Sequence, residues 1–192
     1  MMEGLARRAQ TIGAKDAASI LFAADIAPDD LVVEAGAGSG WLTVAIASSV
    51  GPRGRVVAYE KREDFAAFAR ENVGRVGMAD RVEVRIAHLA FADGIREREV
   101  CAVILDLPSP WTVVAAAWEA LRIGGTLASF SPNMEQVKET VAAIRSQPFV
   151  DVRTIEIIER EMEVRDVGVR PSFAALGHTG YLTFARKVLE TF

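Results

Sequence analysis

The chain holds one cysteine, Cys101, and two histidines, His88 and His178. A single cysteine closes no internal disulfide and builds no cysteine-rich zinc site, and two histidines are too few for an ordinary metal cluster, so no metal is expected. An unlinked thiol inside an apolar run suits a reducing, cytoplasmic setting. No uninterrupted apolar stretch approaches the ~18 residues of a membrane span, and MMEGLARRAQ at the N-terminus has no apolar signal core. No membrane segment is expected. Positive charge is also short: 22 Lys plus Arg face 26 Asp plus Glu, a net charge of -4. That balance argues against indiscriminate phosphate binding but leaves room for a local basic patch. Apart from Lys15, Lys61, Lys138 and Lys187 every such cation is Arg. The arginines reflect either coding bias or a supply of bidentate phosphate contacts.

What the chain has is apolar bulk, 51% hydrophobic residues over 192 positions. This describes one globular domain whose core needs no disulfide or metal. Residues 1–28 are expected as an N-terminal helical segment. Apolar runs at 31–35, 55–60, 82–87, 100–105 and 124–130 suit strands, and stretches of helical spacing follow at 41–50, 62–73, 110–121 and 132–145. Two more strands, 152–158 and 180–186, have no helix between them and are expected to pair antiparallel. The implied architecture is α/β: a mostly parallel, seven-stranded, doubly wound sheet with an antiparallel C-terminal hairpin. Residues 164–177, with Gly168, Pro171 and Gly177, are expected to form one long irregular connection.

Between the first strand and first helix stands Glu34-Ala35-Gly36-Ala37-Gly38-Ser39-Gly40. Glycines at such a junction let the chain turn sharply and bring backbone N–H groups close to a ligand. The spacing G-x-G-x-G is not the G-x-G-x-x-G of dinucleotide sites, and a tight structural turn would use the same residues. Glu60, at the end of the second strand, adds a carboxylate that can accept both hydroxyls of a ribose. No basic residue lies between Glu34 and Val50, which disfavours a pyrophosphate. A nucleoside joined to an amino acid through an uncharged linker fits better, and S-adenosylmethionine has that form.

Asp106-Leu107-Pro108-Ser109-Pro110-Trp111 ends the most apolar strand. Two prolines stiffen this loop. Asp106 can stabilise positive charge developing on an incoming nucleophile, or it can cap the helix that follows. Trp111 can line the pocket or pack in the core.

With these residues in view, the chain resembles the class I S-adenosylmethionine-dependent tRNA adenine N1-methyltransferases, which act at position 58 of the T-loop. The resemblance rests on Lys15-Asp16-Ala17-Ala18, EAGAGSGWLT from Glu34, Tyr59-Glu60, DLPSPW from Asp106, SPNMEQV from Ser131 and GHTGYLTFARK from Gly177. It implies a Rossmann-like methyltransferase fold, S-adenosylmethionine as cofactor, tRNA as partner and a homo-oligomer, tetrameric in the family. It places Gly36, Gly38, Ser39, Gly40, Trp41 and Leu42 at the methionine moiety, Glu60 at the ribose, and His88 and Leu89 beside the adenine. Asp106 falls on the catalytic aspartate, in reach of the cofactor as well. His178 and Thr179 fall on a signature that shapes the target pocket or an oligomer contact. The family's small β-rich N-terminal domain is expected to be absent, so that 1–192 is one methyltransferase domain, and Gly13-Ala14 stands where relatives often have Tyr-Pro. Phosphates would then meet arginines such as Arg7, Arg8, Arg165 and Arg170, or several copies of the chain. Two other functions use the same fold: a small-molecule methyltransferase, and a cofactor-binding subunit that needs a partner chain for RNA.

Overall fold

The computed structural model describes residues 12–89, 94–174 and 177–189. Helix α1 (Ala14–Ala23) leads to β1 (Leu31–Ala35), α2 (Trp41–Val50), β2 (Arg55–Glu60), α3 (Glu63–Arg75), β3 (Val82–Ile86) and β4 (Val100–Leu105). A 3-10 turn (Pro110–Val113) runs into α4 (Val114–Ala120). It is followed by β5 (Leu121–Ser131), α5 (Met134–Arg145), β6 (Phe149–Glu156), β7 (Met162–Arg165), β8 (Gly168–Pro171) and β9 (Tyr181–Lys187).

Seven strands form one sheet in the order β3-β2-β1-β4-β5-β9-β6. The first five are parallel, and β9 runs antiparallel to both β5 and β6. The expected antiparallel pair is present, with β9 inserted between β5 and β6. Burial explains that order: β9 is buried along most of its length, whereas β6 alternates and occupies the edge.

Successive residues of each strand serve opposite faces. On one face Val32, Val56, Ala102 and Ile104 pack against Ile20 of α1 and Val44 and Ile46 of α2, with α3 closing over Ala58. On the other, Val33, Val57, Val103 and Leu127 pack against Ala117 of α4 and Ile144 of α5. Each fully buried Val, Leu or Ile stabilises the fold by about 1.5–3 kcal/mol relative to its exposed state. With both faces covered, the carboxyl ends of the parallel strands are left as the site of a crevice.

Three expectations are corrected. Residues 164–177 are not one irregular loop, because β7 and β8 pair as a separate two-stranded hairpin, Glu163 opposite Arg170 and Val164 opposite Val169. The period-two pattern of 162–171 is hidden in sequence by Gly168 and Pro171, which mark a strand start and a strand end. The helix expected at 110–121 begins as a 3-10 turn behind Pro110 and stops at Ala120, so that β5 already starts at Leu121. The helix expected from Pro132 starts at Met134, because the Asn133 side chain caps it by accepting the Gln136 N–H at 2.9 Å. Of the N-terminal helical segment, α1 is present and residues 1–11 lie outside the described residues.

Among the described residues no helix is long and apolar enough to cross a membrane. Cys101 is buried, with Sγ 3.1 Å from Asp30 Oδ2. Asn133→Ala, which removes the cap of α5, is expected to lower unfolding free energy by about 1 kcal/mol in urea titration. An unchanged midpoint would show that the cap contributes nothing.

Candidate active site

The loop after β1 is shaped by close approach. Gly36, Gly38 and Gly40 have φ of 96°, 52° and 75°, a region that other residues rarely enter. A Cβ on Gly36 would lie 2.0 Å from the carbonyl oxygen of Asp106, and one on Gly40 would lie 2.9 Å from Ala69 Cα in α3. The N–H groups of Gly36 and Ala37 donate to the Tyr59 carbonyl at 2.8 and 3.1 Å. Glu60 completes the loop: its Oε2 accepts the Gly38 N–H at 2.9 Å and its Oε1 the Arg62 N–H at 3.0 Å. Two of its four lone-pair positions remain for a ligand.

These elements border a cavity of about 750 Å³. Of the residues expected at the site, Gly36, Gly38, Glu60, His88, Leu89 and Asp106 line it. Ser39, Trp41 and Leu42 instead border an adjoining recess of about 20 Å³, which they share with Glu34 and Asp106. The buried hydroxyl of Ser39 has no hydrogen-bond partner among the described residues. Gly40 faces α3 and serves as the N-cap position of α2. Trp111 is half-buried and lies outside the cavity lining, and the N-cap of the 3-10 turn receives no side-chain bond, so Asp106 does not cap it.

Three carboxyl groups converge here. Glu34, on β1, is 1% exposed and accepts a 2.5 Å bond from Thr43 Oγ1. Burial pushes its pKa up to about 8; the Thr43 bond opposes that shift, and the charges of Asp106 and Glu60 add to it. Asp106, at the end of β4, is pushed up to about 7 by burial and by the charge of Glu60. Its backbone N–H donates to the Ala35 carbonyl at 2.8 Å, while no described residue donates to its carboxylate. Lys61 and Arg62 stand on the rim, Arg62 paired with Asp64 at 2.8 Å and lying over the Phe65 ring at 4.2 Å. An acidic interior with a glycine floor suits a ligand that carries positive charge and hydroxyl donors. The residues therefore fit the nucleoside sulfonium expected from sequence.

Some functional residues escaped sequence reasoning. Glu34 was seen only as part of the glycine motif, although an acid inside an apolar strand is itself a signal. Ile12, Phe65, Phe130 and Pro132 also line the cavity, and nothing local separates such residues from core or loop. His178 and Thr179 are not among the residues that line the cavity; they bond to the Pro132 carbonyl and to Asp16. Arg165 and Arg170 lie on the β7–β8 hairpin and both pair with Glu163, which reduces the charge they offer to phosphate. Arg7 and Arg8 lie outside the described residues.

Glu34 makes stability pH-dependent. Its carboxyl keeps a proton in the folded protein up to about pH 8, whereas in the unfolded chain it releases it near 4.5. The folded state binds more protons across that window, so stability falls as pH rises through it. Glu34→Gln, measured by thermal melts between pH 5 and pH 8.5 without ligand, is expected to flatten this dependence. Equal slopes for both proteins would refute the assignment.

Most of the chain is similar to known methyltransferases. A tRNA (adenine(57)-N(1)/adenine(58)-N(1))-methyltransferase from Methanocaldococcus jannaschii is 38% identical over 210 residues, covering 97% of this chain and 74% of the relative. A tRNA (adenine(58)-N(1))-methyltransferase from Thermus thermophilus is 38% identical over 173 residues, covering 90% of this chain and 68% of the relative. Among solved structures, an S-adenosylmethionine-dependent O-methyltransferase from Thermotoga maritima superposes with a TM-score of 0.93 at 34% identity. That match covers 96% of this chain and 69% of the other. The fold is that of the class I methyltransferases. The family model for the tRNA methyltransferase complex GCD14 subunit matches residues 2–170, and the chain belongs to this tRNA methyltransferase family.

Proposed function

We propose that this protein methylates N1 of an adenine in tRNA, at position 58, with S-adenosylmethionine as methyl donor. The observation that carries the proposal is the Asp106 carboxylate at the end of β4, partly buried, without a donor among the described residues, and facing a cavity floored by the glycine loop. Gly36, Gly38 and Ser39 would hold the methionine portion with Trp41 and Leu42 behind them, Glu60 the ribose, and His88 and Leu89 the adenine of the donor. When bound, S-adenosylmethionine supplies an electrophilic methyl group on a cationic sulfur.

Adenine N1 has a usable lone pair at neutral pH, so the protein need not supply a strong base. The methylated ring is cationic. Asp106, placed beside the target's N6 amino group, accepts a hydrogen bond from it and stabilises the charge as it develops. Because no described residue donates to its carboxylate, it gives up no such bond when substrate arrives. A T-loop adenine is stacked in folded tRNA and must be flipped into the cavity at a cost of a few kcal/mol. Ile12, Phe130 and Pro132 offer that base an apolar wall.

The described residues form one covered sheet and one hairpin, which supports a single methyltransferase domain. A cytoplasmic location goes with tRNA as substrate. The hairpin exposes Met162, Val164, Val167 and Val169, with Phe173 beside them. An apolar patch of this kind marks an association surface, and it supports a homo-oligomer, tetrameric by family resemblance.

Turnover, its pH profile and the particle mass test these proposals. Asp106→Asn is expected to cut kcat on unmodified tRNA about 100-fold or more, scored as 1-methyladenosine after nucleoside digestion, while S-adenosylmethionine binding changes little. Since Asp106 must be ionised, kcat/KM should rise with pH around 7 in the native protein, and this limb should vanish in the variant. Full activity in Asp106→Asn would sink the role, and 2′-O-methylated product in place of 1-methyladenosine would sink the reaction. For the assembly, Val167→Glu with Val169→Glu should reduce the particle mass in light scattering; an unchanged mass would move the interface elsewhere.

A further inference from the structure

Three consecutive residues hold the target-side wall of the cavity from behind. Sheet order separates the two halves of the site: Glu60 ends β2, His88 follows β3, Asp106 follows β4, and Phe130 and Pro132 flank the last residue of β5. His178, Thr179 and Gly180 lead into β9, the strand beside β5.

Each of the three meets a different piece of wall. His178 Nδ1 lies 2.5 Å from Glu156 Oε1 on β6, and Nε2 lies 3.0 Å from the Pro132 carbonyl oxygen. Thr179 Oγ1 donates to Asp16 Oδ2 at 2.8 Å and accepts from Lys15 Nζ at 2.7 Å, and the same ammonium reaches Asp16 Oδ1 at 2.8 Å. Asp16 is fully buried, so this bond anchors the start of α1 and, beside it, Ile12. Gly180 receives the Phe130 ring; a Cβ there would lie 2.3 Å from Phe130 Cζ. Pro132, Ile12 and Phe130 all line the cavity.

We propose that His178 is a positioning residue for methyl transfer, which with Thr179 and Gly180 holds Pro132, Ile12 and Phe130 as the wall against which the target adenine seats. The inference rests on the tRNA-methylating function proposed above. Both neighbours of the imidazole are acceptors, and a neutral ring has a single N–H. Only the imidazolium bonds to both. Among the described residues, the charged and titratable groups around the ring are Glu156 from β6, Lys15 of α1 with its partner Asp16, and Tyr181 of β9, whose ring centroid lies 4.8 Å away. The Glu156 carboxylate and the Pro132 carbonyl raise the His178 pKa, against the smaller opposing effects of desolvation and Lys15. Below that raised pKa the ring is charged and both bonds stand; above it one is lost, and Pro132 or β6 is released. Target seating therefore weakens as pH rises, while the donor half of the site, on β1 to β3, is untouched.

The test uses the full chain with unmodified tRNA and measures S-adenosylmethionine binding separately by calorimetry. His178→Ala is expected to lower kcat/KM for tRNA roughly tenfold, mostly through KM, with donor binding unchanged. His178→Gln, which can still reach Pro132, should recover part of that loss. Glu156→Gln is nearly isosteric and removes the charge that favours the imidazolium, so the alkaline fall of kcat/KM for tRNA should move to lower pH. Should His178→Ala fail to fold, the Glu156→Gln profile decides alone. An unmoved alkaline limb in Glu156→Gln, or donor affinity falling in step with kcat/KM in His178→Ala, would overturn the proposal. Absence of 1-methyladenosine from the native protein would instead overturn the function on which it rests.

Discussion

A carbonyl stands where the side chain of residue 36 would be. The Asp106 oxygen lies 2.0 Å from the Cβ position of Gly36, so the loop after β1 and the end of β4 touch through backbone alone. This contact is possible because β1 and β4 are adjacent in the sheet and both buried along nearly their whole length. It places the glycine loop and the Asp106 carboxylate on the same cavity, and side-chain bulk at residue 36 would force them apart. The remaining site geometry, Glu60 tied to Gly38 and the α2 terminus at Gly40, is built outward from that contact.

Electrostatics follows from the same geometry. Glu34, Glu60 and Asp106 come from three adjacent strands and crowd together at their carboxyl ends, and no described residue forms an ion pair with any of them. Desolvation, with repulsion from neighbouring carboxylates, disfavours the charged forms of Glu34 and Asp106. A cationic ligand relieves that repulsion, whereas a neutral one does not. The cavity is thus biased toward positive charge on the donor and on the methylated base, at some cost to the stability of the empty protein.

The opposite wall is built on long-range polar contacts. Thr179 reaches Asp16 across nearly the whole chain, and His178 joins β6 to the end of β5. Such bonds contribute little to overall stability where exposed. Their consequence is positional: they set how α1, β5 and β9 meet around the cavity. The hairpin β7–β8 forms a separate sheet and presents apolar side chains outward.

Local pattern alone determined a great deal. The alternation of apolar runs and helical stretches marked all seven strands of the main sheet, because strand and helix periodicities are properties of neighbouring residues. The glycine spacing with Glu60, and Asp106 ahead of its prolines, marked residues that line the cavity for the same reason. Tertiary structure decided what depends on distant neighbours: that β9 inserts between β5 and β6, that 162–171 folds as a hairpin, and that burial raises the pKa of Glu34. It also turned Ile12, Phe130 and Pro132 into a wall with His178 behind it. Burial and charge coupling arise only when strands far apart in the chain are brought side by side, and no spacing along the chain records them.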